Sequence, residues 1–218
     1  MLVGLILLGI VAALMFFGIV GRVYKNCGMP YPLAFGVVGL LLGGAFIPAI
    51  RVNGATIGAA GFIVPLAISG VFIYLASRRR ELMRSFVTAV TVTAVYTSVE
   101  LLLGLIASDA VTVTVQGLLC GFVAYLVGKT ELAALNGVFL GVPLGEIATG
   151  VTGYFAYGQA ISFGGASAYN TLVIAAIFSV VLYEIVYTVK HTVYTKRRAA
   201  TEASEEFDPN EYKKYFDE

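Results

Sequence analysis

Gly141–Leu182, GVPLGEIATGVTGYFAYGQAISFGGASAYNTLVIAAIFSVVL, decides how the rest of the chain is read. Two long apolar runs are broken here by glycines, one proline (Pro143), one carboxylate (Glu146) and one carboxamide (Asn170). About 20 apolar residues cross the hydrocarbon of a bilayer. A polar group inside such a run is expensive and therefore a functional candidate. Pro143 removes a backbone N–H three residues before Glu146, with Gly141, Gly145 and Gly150 around it. Interrupted helix beside an intramembrane carboxylate is expected where backbone lines a site rather than lipid. Pro65 matches it in an earlier run, without a carboxylate.

The whole chain shares this character. Of 218 residues, 59% are hydrophobic and 12% charged, and the mean hydropathy is +0.89. A soluble domain is nearer a quarter charged. The charges cluster and leave seven apolar windows, at about 2–21, 32–50, 55–77, 85–107, 111–128, 132–154 and 165–189. The expected fold class is an all-α integral membrane protein of seven transmembrane helices. The first window lacks the basic flank of a cleaved signal peptide and is too long for its apolar core, so it counts as span 1.

Basic residues set the orientation, because Lys and Arg near span ends stay cytoplasmic. Arg22 and Lys25 follow span 1, Arg78, Arg79, Arg80 and Arg84 follow span 3, and Lys129 follows span 5. Lys190, Lys196, Arg197 and Arg198 follow span 7. The alternate loops carry only Arg51 and Asp109. The expectation is a cell-membrane protein with its N-terminus outside and its C-terminus inside. Residues 1–194 form the seven-span domain and residues 195–218 a polar cytoplasmic tail. The lipid bilayer is the one partner that composition demands, and nothing in it suits nucleic acid. No cofactor motif is present: Cys27 and Cys120 carry no metal or redox spacing, and His191 stands alone beside Lys190.

An internal echo adds a second layer. Thr56–Leu66 (TIGAAGFIVPL) resembles Ser162–Leu172 (SFGGASAYNTL) at an offset of 172 − 66 = 106 residues. Gly39–Gly43 resembles Gly141–Gly145 at 141 − 39 = 102. Matched pairs of spans imply two parallel units of three helices joined by the fourth, a 3+1+3 arrangement known among transporters. Small residues in any close-packed helix pair would leave a similar trace.

Depth gathers the polar residues. Glu100 and Glu146 fall about two-thirds along spans 4 and 6, both running outward. Gln116 lies in the first third of span 5 and Asn170 early in span 7, both running inward. Arg51, Asn53, Tyr154 and Tyr169 sit at or just above that level. The candidate binding site is therefore Glu146, Glu100, Asn170, Gln116, Tyr169 and Arg51, around a polar cavity open to the outside. Its expected ligand is a cation, a proton or a small molecule. Glu184 is expected at the cytoplasmic interface. Local hydrogen bonding of each acid, or pairing with Arg51, is the structural alternative.

At these residues the chain resembles an uncharacterised family of bacterial and archaeal multi-pass membrane proteins, a domain of unknown function. The family pattern has a Gly-Gly-Ala…Pro helix start, then Gly-Ala-Asp, then Gly-Gly-Ala-Gly-x-Phe-Asp-Gly. Here Gly58 to Pro65, Gly145-Glu146 and Gly164 to Asn170 look like those motifs, within residues 55–182. The chain departs from the pattern with Glu146 for the first acid and neutral Asn170 for the second. If the family uses an acidic pair, only one member is retained, which favours binding or transport over a catalytic dyad.

Three classes of function stand. A small transporter, channel or ligand-binding protein would use the outer cavity. An intramembrane enzyme needs two carboxyls sharing a proton, but the chain has no Asp within a span and only one His. A structural subunit of a membrane complex is the third. A retinal protein is excluded, since span 7 has Lys190 only at its very end.

Overall fold

The computed structural model describes residues 2–18, 21–52, 55–76, 79–104, 106–158 and 160–205. Asn53, Gln159 and tail residues 206–218 lie outside the described residues. Helices dominate: α1 (Leu2–Phe16), α2 (Gly21–Asn26), α3 (Tyr31–Gly44), α4 (Val64–Leu75), α5 (Arg79–Leu103), α6 (Asp109–Gly128), α7 (Glu131–Tyr157) and α8 (Ala166–Glu205). A π-helical turn, Ala59–Ile63, leads into α4. This widening precedes Pro65, which has no N–H for the carbonyl one turn back.

Four helices are long and apolar enough to cross a membrane: Arg80–Leu103, Asp109–Gly128, Glu131–Ala156 and Ala166–Val193. Three apolar helices are shorter: Leu2–Phe16, Tyr31–Gly44 and Ala59–Leu75. At 1.5 Å per residue these reach roughly 21–26 Å, against about 30 Å of hydrocarbon. The windows at 32–50 and 55–77 are not helical throughout. Helix α3 stops at Gly44, and the chain forms strands β1 (Ile50–Val52) and β2 (Ala55–Ile57), paired antiparallel. Hydropathy alone does not separate a short apolar strand from apolar helix.

Strand β3 (Ser162–Phe163) joins β2 in parallel, pairing Thr56 with Ser162 and Ile57 with Phe163. Those partners are 162 − 56 = 106 residues apart, so the two echoing segments lie side by side. Gly58 N–H donates to the Phe163 carbonyl at 2.6 Å, and Phe62 stacks on Phe163. Gly164 has φ +72°, and a side chain there would overlap the Gly58 carbonyl. Glycine is required on both counts.

Helix ends collect at two poles. At the strand pole, Gly4 N–H of α1 donates to Asn170 Oδ1 of α8 at 3.0 Å. At the other pole, Asn26 Nδ2 at the end of α2 donates to Glu131 Oε1 at the start of α7, 2.8 Å away. A tight turn joins α6 to α7 there. Lys129 takes a left-handed conformation (φ 57°), and Thr130 caps α7 by accepting from Ala133 N–H.

Packing centres on α7. Its glycines at a four-residue spacing, Gly137, Gly141 and Gly145, meet Thr88, Val92 and Tyr96 of α5. A Cβ on Gly141 would lie 2.8 Å from the Ala89 carbonyl oxygen and Val92 Cβ, so only glycine permits this approach. Thr93 Oγ1 donates to the Gly141 carbonyl across the same seam at 3.0 Å. The register 88 to 137 and 96 to 145 makes α5 and α7 parallel. Arg80 and Arg84 therefore sit at the pole of Lys129, Asn26 and Glu131, hereafter the basic pole. A second ladder, Gly117 and Gly121 of α6, packs against Ile174 and Ala175 of α8.

By contacts the chain divides into residues 1–181 and 182–218. Within the second unit, the described residues continue helix α8 to Glu205, with threonine hydroxyls bonded back one turn (Thr188 to the Glu184 carbonyl, Thr192 to Thr188, Thr195 to His191).

Candidate functional site

Glu146 sits midway along α7, one residue beyond the last glycine of the seam. That position aims its carboxylate at α5 and at the turn opening α8. It accepts the Gly164 N–H through Oε2 and the Tyr96 hydroxyl through Oε1 at 3.4 Å. A buried carboxylate needs such donors, because lipid or apolar protein supplies none. Tyr96 and Glu100 are four residues apart on α5 and so share a face. The Tyr96 hydroxyl lies within electrostatic reach of both Glu146 and Glu100.

Gln116 of α6 closes the group. Its Nε2 donates to the Tyr96 carbonyl and to Glu100 Oε2, each at 3.1 Å. Its Oε1 accepts from Thr171 Oγ1 of α8 at 3.2 Å. Gln116 is 1% exposed, so it works as an interior connector rather than a surface amide. One turn earlier, Thr112 is 5% exposed and its hydroxyl has no hydrogen-bond partner. Four helices thus contribute to one polar network, in the order Thr171, Gln116, Glu100 with Tyr96, Glu146, Gly164.

A cavity of about 320 Å³ lies at the strand pole beside this network, lined by Val3, Asp109, Val113, Thr114, Ser167 and Asn170 among others. Its polar lining comes from the first turns of α6 and α8. Thr171 comes next in sequence after the lining residue Asn170 and Gln116 two residues after Thr114, but neither lines the cavity and both are buried.

Of the six residues singled out from sequence, Glu146, Glu100 and Gln116 share the network. Asn170 lines the cavity and holds the backbone of α1. Tyr169 is fully buried and donates from its hydroxyl to the Leu41 carbonyl of α3 at 3.3 Å. Arg51 lies on β1, exposed and paired in register with Thr56. Glu100 stands in the last turn of α5, nearer the helix end than its place in the 85–107 window suggests. Tyr96, Thr171 and Gly164 were not singled out. A tyrosine one turn before an intramembrane acid was the available signal for Tyr96. Gly164 stood in the echo and in the glycine-rich motif but not as a partner of Glu146, 18 residues away, and nothing local marks Thr171, whose partner is 55 residues away.

Among the described residues, no group of three or more His, Cys, Asp or Glu is arranged to hold a metal ion. Helices of membrane-spanning length and a satisfied polar network at their core define the class: an α-helical protein with membrane-type apolar helices. Compared with protein families, curated proteins and solved structures, the chain matches none.

Proposed function

We propose that the chain crosses the cell membrane seven times, strand pole outside and basic pole in the cytoplasm, and binds or transports a small solute from the outer face. The 320 Å³ cavity receives the ligand, and Glu146 with Glu100 holds the accompanying proton or cation. One observation carries this reading: Gln116 links Thr171 of α8 to Glu100 and Tyr96 of α5, so a buried run of polar groups leads through an apolar interior to Glu146. The unpaired Thr112 hydroxyl adds hydrogen-bonding capacity beside that path. Alternating helix directions and the clustered Arg80, Arg84 and Lys129 support the topology. The resemblance to the uncharacterised membrane-protein family points the same way, since its motifs fall on the Gly58, Glu146 and Gly164 contacts.

The test is flux in liposomes reconstituted with the purified chain. Proton, alkali-cation and small-solute movement are compared for the wild type, Glu146→Gln and Glu100→Gln. The expected result is a cation- or proton-dependent flux that falls roughly ten- to hundredfold in Glu146→Gln, the cost of losing a charged hydrogen-bond partner. Equal flux in wild type and variant, or none in either, contradicts the proposal.

A further inference from the structure

The cavity at the strand pole is one-sided in charge. Among the described residues that line it, Asp109 in the first turn of α6 carries the one charge, and no lysine, arginine or histidine balances it. Asp109 is exposed, and among the described residues its carboxylate has neither an ion-pair nor a hydrogen-bond partner. Three further polar side chains share the wall: Thr114, Ser167 and Asn170. The Thr114 hydroxyl donates to the Ala110 carbonyl at 2.7 Å, which leaves its oxygen to accept. The rest of the wall is apolar, with Val3, Val113 and Ile174 on three different helices. A carboxylate beside hydroxyl oxygens suits a group that is positive and donates several hydrogen bonds at once, as an ammonium does. An anion would meet Asp109 as a like charge. A bare alkali ion would leave most of the 320 Å³ and the whole apolar wall without contact.

Granted that this cavity is where the ligand of the proposed function enters, we infer that the ligand is a small organic ammonium compound. Its ammonium group sits on the Asp109 carboxylate, with the Thr114 and Ser167 hydroxyls as further acceptors, and its short hydrocarbon body lies against Val3, Val113 and Ile174. Asp109 is then the residue that selects cations over anions at the outer face. Glu146 does not line the cavity and keeps its separate role deeper in the protein.

Ligand-observed NMR titration of the full chain in lipid nanodiscs tests it, with n-butylammonium, n-butanol and butyrate as probes matched in length and empty nanodiscs subtracted. The expected order is butylammonium about fivefold tighter than butanol, the effect of an ammonium on an open carboxylate, with butyrate weakest. In Asp109→Asn, an exposed and conservative change checked for folding by helical circular dichroism, the preference for butylammonium over butanol falls to about one. Ala110→Phe fills the cavity from its wall and removes binding of all three probes. Glu146→Gln keeps the preference for butylammonium. Absence of flux with that preference intact breaks the transport reading and leaves the assignment of the cavity standing. Equal binding of the three probes by the wild type overturns the assignment, as does tighter binding of butyrate. So does a preference that survives Asp109→Asn, binding that survives Ala110→Phe, or loss of binding in Glu146→Gln, which places the ligand elsewhere.

Discussion

Helices α7 and α8 are both long enough to cross a bilayer, yet they solve opposite problems. In the α7 span, of mean hydropathy 1.4, 72% of the 18-residue apolar window is buried; in the α8 span, of mean hydropathy 2.3, 22% is. In a water-soluble fold the more apolar helix would be the more buried. The inversion follows when lipid is the solvent. Apolar side chains then gain little by facing protein, and helix association relies on close backbone approach and hydrogen bonds between helices. Helix α7 has both, in Gly137, Gly141 and Gly145 and in the bonds of Glu146 and Thr93.

The sharpest way to break this comparison is to close the seam. Gly141→Leu puts side-chain atoms where Ala89 and Val92 already are. The expected loss is about 1–3 kcal/mol or more, the cost of overpacking a rigid core, read as a large drop in melting temperature in detergent. Gly9→Leu on α1, where nothing lies within 4 Å, is the control and should be near neutral. A neutral Gly141→Leu would mean that α7 is not the packed centre.

A second substitution reads the solvent itself. Val90, midway along α5, is 66% exposed. If that face meets lipid, Val90→Lys costs about 2.5–3.5 kcal/mol on insertion scales, seen as reduced membrane integration in a translocon assay. A surface facing water would tolerate it within about 0.5 kcal/mol.

The smallest effect lies at the basic pole, outside the spans. Burial, and then the charge of Glu131, push the Cys27 thiol from an ordinary 9.0 up to about 12. Thiolate at neutral pH falls roughly a thousandfold, so alkylation of Cys27 should be very slow until the protein unfolds. The unfolded thiol ionises first, so this group's contribution to stability is complete below pH 9.0 and is lost as pH rises towards 12. Rapid labelling of the folded protein at neutral pH would show that the loop after α2 is open.

Much of the helical architecture was legible because long apolar helices announce themselves by length and hydropathy. The breaks at Arg22–Pro32 and Lys129–Glu131 fall where the charges are, and Glu100, Gln116 and Glu146 were brought together by depth alone. What stayed hidden depends on partners far apart in the chain. A glycine ladder advertises close packing without naming the helix it meets, so the pairing of Gly141 with Val92 could not be read. Asn170 lay at the right depth, but its partner is the backbone of Gly4, 166 residues away. Ile50–Ile57 hid its strands inside an apolar background, and with them the pairing that sets Gly164 against Glu146.

The central claim is that the Glu146 carboxylate responds to what the outer cavity admits. Difference infrared spectroscopy of the protein in bilayers, across an external pH or cation jump, measures this directly. A carboxyl band should change with the jump, vanish in Glu146→Gln and shift in Gln116→Leu, whose side chain ties Glu100 to the network. Identical difference spectra for wild type and Glu146→Gln would contradict the account.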